Sequence, residues 1–188
     1  MEGLQLNFQT ACLRGNLQLA QQLWRDNPDI DISIDYYNNL FAKVCYNGHL
    51  RILQWLLQVK PDIDISYKNE WAFRWSCQFG HLEVAKWLLQ VKPDIDISAE
   101  EEHAFCQACQ FGHLEVAQWL LQVKPDIDIS ATNNYSFRRA CDNGHLEIAQ
   151  WLEELNPDIC EITQVTTNQN DIYVIKYKIY KPTGYILK

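Results

Sequence analysis

The chain has 188 residues, 47% of them hydrophobic and only six of them proline, a composition that excludes an intrinsically disordered protein. Its 24 acidic residues outnumber 16 lysines and arginines, and the net charge of −8 disfavours a surface for nucleic-acid phosphates. No apolar run approaches the roughly 20 residues that span a bilayer, and the start lacks the pattern of a secretory leader. We therefore expect a soluble, intracellular protein whose seven cysteines stay reduced.

A repeat of about 32 residues organises most of the chain. Glycine-histidine pairs begin at residues 48, 80, 112 and 144, and Gly15-Asn16 forms an earlier, degenerate copy. Each repeat has the pattern of two short helices joined by a turn. Such a pair cannot bury its own apolar face, so neighbouring repeats are expected to stack. The spacing predicts a repeat domain over residues 1–160, with repeats at 4–33, 34–66, 67–98, 99–130 and 131–160.

The second helix of each repeat has the clearer pattern. In the third repeat, apolar residues recur at helical spacing and form one face that includes Ala85 and Leu88. This helix is predicted to end at Lys92, because the residue before a proline avoids the α region. A serine precedes the first helix, and we predict that its side chain caps that helix, with Ser98 and Glu101 forming a capping box. The three serines at this position are Ser66, Ser98 and Ser130.

The repeats resemble ankyrin repeats, through the segment A-F-x-x-A-C-x-x-G-H and the G-H-L-E-V-A-x-W-L-L that overlaps its end. The segment W-L-L-Q-V-K-P-D-I-D-I-S further resembles the ankyrin proteins that amoeba-infecting giant DNA viruses encode. The resemblance implies an all-α fold, an ankyrin-repeat solenoid of about five helix-turn-helix units. The T-P-L-H tetrapeptide of the family is absent, as is the glycine usual at its hairpin tip. We therefore expect a tight turn into a capped helix instead of a long β-hairpin finger.

The repeated segment P-D-I-D-I-S sets two carboxylates at fixed spacing in each of four copies, which begin at residues 28, 61, 93 and 125. Such pairs could serve acid–base or metal chemistry. Each loop offers only two carboxylates, however, whereas calcium takes roughly six to eight oxygen ligands. No phosphate-binding loop or nucleophile motif accompanies them. We interpret the isoleucines as filling the seam between repeats and the aspartates as facing water or bonding nearby amides.

One histidine in each of four repeats occupies the same position: His49, His81, His113 and His145. Packed helices lie about 8–10 Å apart, whereas zinc–nitrogen bonds are about 2.0–2.1 Å, so successive histidines cannot readily share an ion. We expect each histidine to bond the backbone of the neighbouring repeat. Five cysteines share another position and are expected to be buried, and Cys106-x-x-Cys109 lacks a second cysteine pair. We therefore predict no metal, no cofactor and no enzyme activity.

Divergence between copies points to a binding surface. Residues 80–98 and 112–130 match at 18 of 19 positions, whereas the turn and first helix that precede them have diverged. In the resembling family this face lines the concave groove that holds protein partners, and tryptophan, tyrosine and arginine tend to dominate interface energies. The alternative is that the aromatic residues pack between repeats. The predicted partner-binding residues are Tyr36, Tyr37, Trp71, Arg74, Trp75, Phe79, His103, Gln107, Phe111, Tyr135, Arg138 and Arg139.

The end of the chain departs from the repeat. Residues 163–170 are polar and typical of turns, and the stretch that follows alternates apolar residues with lysine and tyrosine. We predict a short C-terminal β-hairpin tail within residues 161–188, with its turn at Lys181-Pro182-Thr183-Gly184. One interpretation is a cap on the last repeat. The other is an exposed edge that pairs with a partner or a second copy.

These expectations combine into a non-catalytic protein–protein interaction module. The resemblance implies a viral protein that acts on host factors in the host cytoplasm, bound through the turn and first-helix face. We expect a monomer that binds no nucleic acid and no membrane. Two alternatives remain open: a substrate adaptor for a ubiquitin ligase, and a structural or virion component that assembles through the C-terminal tail.

Overall fold

The computed structural model describes residues 2–27, 34–158, 160–170 and 172–180. Within these ranges, ten helices are followed by two antiparallel strands, and none of the helices has the length and apolar character needed to cross a membrane. The elements are α1 (Glu2–Leu13), α2 (Leu17–Asp26), α3 (Ile34–Tyr46), α4 (Leu50–Val59), α5 (Tyr67–Gln78), α6 (Leu82–Val91), α7 (Ala99–Gln110), α8 (Leu114–Val123), α9 (Ala131–Asp142), α10 (Leu146–Leu155), β1 (Cys160–Thr167) and β2 (Tyr173–Ile179). The predicted fold class, helical repeats with a short β-hairpin tail, is confirmed.

The chain forms two compact bodies, residues 1–99 and residues 100–188, called here the N-terminal and C-terminal bodies. In both bodies the second helix of a repeat buries the same positions. In α6 these are Val84, Ala85 and Leu88, and the equivalent residues of α8 and α10 are buried too. As predicted, α6 ends at Lys92, whose N–H donates to the Leu88 carbonyl at 2.8 Å. The apolar period of the sequence therefore places these helices correctly.

The turn that enters the first helix is left-handed in three repeats. Lys68, Asn69 and Glu70 have φ angles of 52°, 55° and 61°, and residues 100–102 and 132–134 adopt the same conformation. Non-glycine residues visit this region rarely, because Cβ approaches the following carbonyl oxygen. The turn is closed by the Glu70 N–H, which donates to the Ser66 carbonyl at 3.1 Å. A turn at this point was expected, but its handedness was not.

The predicted serine caps are wrong. Ser66 and Ser130 are the residues before their helices, but neither hydroxyl caps a helical amide. Ser66 Oγ donates instead to Glu70 Oε1 at 2.7 Å, and within the described residues Ser98 Oγ is buried without a hydrogen-bond partner. The capping box with Glu101 is therefore not formed. The physical reason is the left-handed turn, which moves the first amides away from the positions that a helix cap would bond.

The aspartates of the P-D-I-D-I-S segments have two separate structural roles. Asp94 lies 3.0 Å from Lys92 Nζ, and the equivalent aspartate of the next copy makes the same exposed ion pair. The second aspartate of a copy accepts a backbone N–H two residues later, as Asp96 does from Ser98 at 3.0 Å. Ile63, Ile65, Ile95 and Ile127 are buried, whereas Ile97 and Ile129 are half-buried. These contacts agree with the predicted role of the segment as a connector.

The glycine-histidine pairs connect consecutive repeats. His49 Nε2 lies 3.0 Å from the Leu13 carbonyl oxygen, and His81 Nε2 lies 2.8 Å from the Tyr46 carbonyl oxygen. Each ring also lies over the glycine of the preceding repeat. A Cβ on Gly15, which has a φ of +71°, would lie 2.8 Å from His49 Nδ1. The predicted bond from histidine to the neighbouring backbone is confirmed for these two residues.

The hairpin begins earlier than predicted. Strand β1 covers Cys160–Thr167 and pairs with β2 from Cys160↔Ile179 to Thr167↔Tyr173, with an irregularity between Ile162 and Gln164. The prediction that residues 163–170 form a turn-rich stretch is therefore wrong for 163–167. These residues are exposed on both faces, so pairing with β2 rather than a buried apolar face makes them a strand. The predicted turn at 181–184 lies outside the described residues.

The hairpin packs on the last repeat of the C-terminal body. The Ile162 N–H donates to Glu153 Oε1 of α10 at 2.8 Å, and the Tyr177 hydroxyl donates to Asp142 Oδ1 of α9 at 3.1 Å. Cys160 and Ile175 are buried beneath the sheet. An isolated two-stranded hairpin is marginal in water, so these contacts stabilise it.

Candidate functional site

The N-terminal body contains an open groove with a volume of about 500 Å³. We call it the aromatic groove. Its lining residues are Leu13, Lys43, Tyr46, Asn47, Trp75, Gln78 and Phe79. All of them come from the last turn of a first helix or from the residue directly after it.

The aromatic groove is built from three repeat positions. Tyr46 and Gln78 lie two residues before the glycines of their repeats, and Leu13 holds this position in the first repeat. Lys43 and Trp75 share a second position, and the residues directly before the glycines share a third. Stacking places equivalent residues of consecutive repeats side by side. The side chains at these three repeat positions therefore form one continuous strip of surface in the N-terminal body.

Aromatic rings form the wall of this groove. Tyr46 and Phe79 have ring centroids 4.1 Å apart, and Tyr46 meets Trp75 edge-on at 6.1 Å. Trp75 also stacks on Trp71, with centroids 4.7 Å apart and an interplanar angle of 22°. Lys68 Nζ lies 4.3 Å from the centroid of the Trp71 ring, so the wall ends in a cation–π contact at the left-handed turn. Tyr46 is 43% exposed, and a partner can therefore reach its ring.

Lys43 lies between the aromatic groove and a second depression. That depression has a volume of about 250 Å³ and is lined by Gln9, Tyr36, Asn39, Leu40 and Lys43. Lys43 is exposed, and among the described residues no carboxylate forms an ion pair with it. Burial, with a smaller contribution from the charge of Cys12, raises the pKa of Tyr36 to about 12. The Tyr36 hydroxyl donates to the Gln5 carbonyl oxygen at 3.5 Å.

Two of the predicted binding residues of the N-terminal body are buried. Tyr37 is 0% exposed and packs edge-on against Trp24, with ring centroids 6.2 Å apart. Arg74 is 8% exposed, and its Nη2 donates to the Lys68 carbonyl oxygen at 3.4 Å. Neither side chain reaches a partner from these positions, so both are left out of the surface proposed below. Arg74 instead supports the left-handed turn that carries Lys68.

The predicted residues of the C-terminal body form a more polar surface. The Tyr135 hydroxyl donates to Gln110 Oε1 at 2.7 Å, and the Arg139 guanidinium lies 5.0 Å from the Tyr135 ring centroid. Arg139 also lies 3.9 Å from Asp142. Phe111 is 42% exposed, and the other predicted residues, His103, Gln107 and Arg138, are partly exposed. Tyr135 and Arg139 therefore form a cation–π pair on this surface.

Sequence reasoning missed Lys43 and Tyr46. The divergence that suggested a surface was described for the third, fourth and fifth repeats, whereas both residues belong to the second. The signal lies at the repeat position two residues before each glycine. The residues at this position are Leu13, Tyr46, Gln78, Gln110 and Asp142. A large aromatic residue at a position that is otherwise mostly polar would have identified Tyr46.

The described thiols are poor nucleophiles. Burial raises the pKa of Cys160 to about 11 and the pKa values of Cys12 and Cys141 to about 12. In the C-x-x-C pair, burial raises the pKa of both Cys106 and Cys109. A thiolate is the reactive form of cysteine, so these side chains are unreactive at neutral pH. Within the described residues, no three histidine, cysteine, aspartate or glutamate side chains converge to hold a metal ion.

Comparisons with known proteins identify the family of these repeats. A family model of ankyrin repeats, three copies long, matches residues 8–101 and 75–163. The X-ray structure of an ankyrin repeat family protein from Legionella pneumophila is similar, with 30% sequence identity and a TM-score of 0.61. The match covers 71% of this chain and 40% of that one. No curated protein gives a significant match. The chain belongs to the ankyrin-repeat family.

Proposed function

We propose that this protein is a non-catalytic interaction module that binds a partner protein through its turn and first-helix face. Ankyrin repeats are in general protein–protein interaction modules. The observation that carries the proposal is the aromatic groove, where Tyr46, Trp75 and Phe79 form one accessible apolar wall. Apolar surface rimmed by polar residues is typical of an interaction site.

The energetics favour this surface over the rest of the face. Burying one large aromatic side chain contributes on the order of 2 kcal/mol, and aromatic residues dominate the binding energy of many interfaces. Trp75 is held by its stack on Trp71, so little conformational entropy is lost when a partner covers it. A preorganised wall of this kind supports specific binding of a protein segment.

The chemistry of the other candidate groups also supports binding rather than catalysis. The described thiols are buried, and their raised pKa values keep them protonated. His49 and His81 are engaged with backbone carbonyl oxygens of the preceding repeat. These side chains therefore act within the scaffold. We propose that the protein has no enzyme activity and acts as a monomer.

The resemblance to ankyrin proteins of giant viruses supports a finer proposal: a viral protein whose partner is a host factor in the host cytoplasm. A ubiquitin-ligase adaptor is one form that such a role takes. A separate candidate, assembly through the tail, is favoured by the exposed apolar side chains of the hairpin, since Val165, Ile172 and Val174 are 38–50% exposed. If the hairpin drives assembly, Val174→Lys will lower the oligomeric mass measured by light scattering.

A binding experiment with a control from the same body tests the main proposal. Tagged full-length protein is compared with the Trp75→Ala/Phe79→Ala variant and with Val91→Ala, which removes an exposed apolar side chain of the N-terminal body outside the lining of the groove. Captured proteins are quantified by mass spectrometry, and circular dichroism checks that each variant is folded. We expect a defined partner that the double variant loses and Val91→Ala keeps. Undiminished capture of every partner by the folded double variant would rule out binding through the groove.

A further inference from the structure

The aromatic groove and the smaller depression beside it share Lys43 as a lining residue. One side of this lysine is apolar, with Tyr46 and Phe79 in close ring contact. The other side is polar, with Gln9 and Asn39 in the lining. A ligand that covers both depressions must therefore pass over a positive charge between an apolar and a polar subsite. We call this arrangement the Lys43 ridge.

The apolar subsite suits one large side chain. Its volume of about 500 Å³ is bounded by Tyr46, Trp75 and Phe79, and the openness of the groove leaves room for the backbone of an extended segment. Rings placed edge-on and tilted, as Tyr46 is to Trp75 and Phe79, present both faces and edges to an inserted group. Aromatic and branched aliphatic side chains pack well against such a wall.

The charge beside that subsite is positive. Neither lining contains an acidic residue, and within the described residues Lys43 has no ion-pair partner. Although the whole chain carries a net charge of −8, the local field at the ridge favours an anion. A carboxylate that pairs with Lys43 adds specificity and orientation more than affinity, because the pair stays partly solvated.

The smaller depression beside Lys43 forms the polar subsite. Gln9 and Asn39 carry amide side chains that donate and accept hydrogen bonds, and Tyr36, whose hydroxyl donates to the Gln5 carbonyl oxygen at 3.5 Å, lines the same depression. These groups suit a backbone amide or a small polar side chain. An extended segment that crosses the ridge therefore meets an apolar wall, a cation and an amide-lined depression in sequence.

We propose that the aromatic groove and the Lys43 ridge bind an extended peptide segment of a partner protein, with an aromatic or aliphatic anchor residue followed closely by a carboxylate. The anchor occupies the aromatic groove, the carboxylate pairs with Lys43, and the residue beyond it bonds the amide-lined depression. This assignment rests on the proposed function and gives the chemistry of the partner at that same site.

Selection from a random eight-residue peptide display library tests the assignment. Immobilised full-length protein is the bait, and peptides that also bind Trp75→Ala are subtracted. We expect the remaining peptides to carry a large apolar residue with aspartate or glutamate within two positions. When Lys43→Glu is the bait, we expect the selected peptides to carry lysine or arginine in place of the acidic residue. Lys86→Glu serves as the matched control, because Lys86 pairs with Glu83 on α6 and lines neither depression.

Affinity measurements on one selected peptide complete the test. We expect Trp75→Ala to weaken binding more than about tenfold and Lys43→Ala about three- to tenfold, with the Lys43 effect shrinking as salt rises. Lys86→Glu should change affinity less than about twofold.

Three results overturn the assignment in different ways. Groove-dependent peptides that lack acidic residues, or that are unchanged on Lys43→Glu, reject the acidic segment but leave binding through the groove intact. Peptides that bind Trp75→Ala as well as the unchanged protein reject both the segment and the groove. A selection that enriches nothing rejects the acidic segment, since the library contains it.

Discussion

Tyr177 of β2 packs edge-on against Phe137 of α9, with ring centroids 5.5 Å apart and an interplanar angle of 84°. Elsewhere the phenylalanine at this repeat position contacts a tryptophan from the second helix of the following repeat. Three examples are Phe8–Trp55 at 6.2 Å, Phe41–Trp87 at 6.3 Å and Phe105–Trp151 at 6.3 Å. The hairpin thus supplies the aromatic partner that a further repeat supplies at the other positions.

At the glycine of the last repeat, the hairpin again makes the contact that a following repeat makes elsewhere. At Gly15, Gly48 and Gly112 the histidine of the next repeat lies over this glycine. At Gly144, β2 and the residue before it take that place, and an added Cβ would lie 2.6 Å from the Tyr173 carbonyl oxygen and 3.0 Å from the Ile172 side chain. Two points of contact therefore repeat the geometry of a stacked repeat. This observation supports the interpretation of the hairpin as a cap.

If the hairpin acts as a cap, removing its aromatic contact will destabilise the C-terminal body. We expect Tyr177→Ala to lower the free energy of unfolding by about 1–3 kcal/mol, from lost burial and the lost ring contact. Urea unfolding followed by circular dichroism measures the change. The matched control is Tyr173→Ala on the same strand, whose side chain is 44% exposed and should cost less than about 0.5 kcal/mol. Equal losses for the two variants would show that Tyr177 has no special role.

The glycine-histidine contact predicts opposite effects at two glycines. Gly48 has a φ of +75°, and an added Cβ would collide with the ring of His81, which is itself held by the Tyr46 carbonyl oxygen. We expect Gly48→Ala to cost about 2–4 kcal/mol, from the left-handed backbone and the displaced ring. Gly3→Ala in α1 meets nothing within 4 Å and should stabilise by up to about 1 kcal/mol. Thermal and urea unfolding measure both, and a tolerated Gly48→Ala would contradict the contact.

The left-handed turns predict an unusual tolerance of glycine. Glu101 is exposed and has a φ of 57°, so Glu101→Gly relieves backbone strain that offsets the extra entropy of the unfolded chain. We expect its stability to be unchanged or higher by up to about 1 kcal/mol in urea unfolding. Glu115→Gly, an exposed glutamate in the regular helix α8, should lose about 1 kcal/mol. A loss of the same size at Glu101 would mean that the turn is not left-handed in solution.

Buried thiols predict a loss of stability in alkaline solution. Burial, with the charge of Glu153 adding to it, raises the pKa of Cys160 from its ordinary 9.0 to about 11. Between these two pKa values the folded state keeps a proton that the unfolded chain releases. The buried thiol therefore contributes its full stability below pH 9, and this stability is lost as pH rises to 11. Between these values each such thiol lowers the free energy of unfolding by about 1.4 kcal/mol per pH unit. Urea unfolding of Cys160→Ala should show a shallower decline than the unchanged protein, and identical slopes would contradict burial of this thiol.

Much of the fold followed from pattern. The glycine-histidine period predicted paired helices, and Pro93 correctly predicted that α6 stops with Lys92 as its C-cap. The left-handed turn did not follow, because serine and glutamate near a helix start indicate a cap by local preference alone. The contacts of the whole turn outweighed that preference. Strand β1 was missed for a related reason: its exposed, polar residues have no apolar period and become a strand only by pairing with β2.

The candidate site was only partly accessible to prediction. Tyr36 and Tyr37 are adjacent in the sequence, yet one lines a surface depression and the other is fully buried. Which residue faces outward depends on the rotation of α3 about its axis, and that rotation depends on the neighbouring repeats. Tyr46 was missed because its role comes from contact with Trp75 and Phe79 of the next repeat.

The sequence by itself determined the architecture of paired helices, the ends of the second helices and the buried face of those helices, since a period of apolar residues, glycine and proline encodes each of them locally. Tertiary structure alone decided the handedness of the turns, the pairing of β1 with β2, and the convergence of three aromatic rings beside Lys43. The physical reason is the range of the interactions. Helix periods and chain breaks act over a few residues, whereas the groove depends on contacts such as Tyr46–Trp75 and the cap on contacts such as Phe137–Tyr177, whose partners are distant in the sequence.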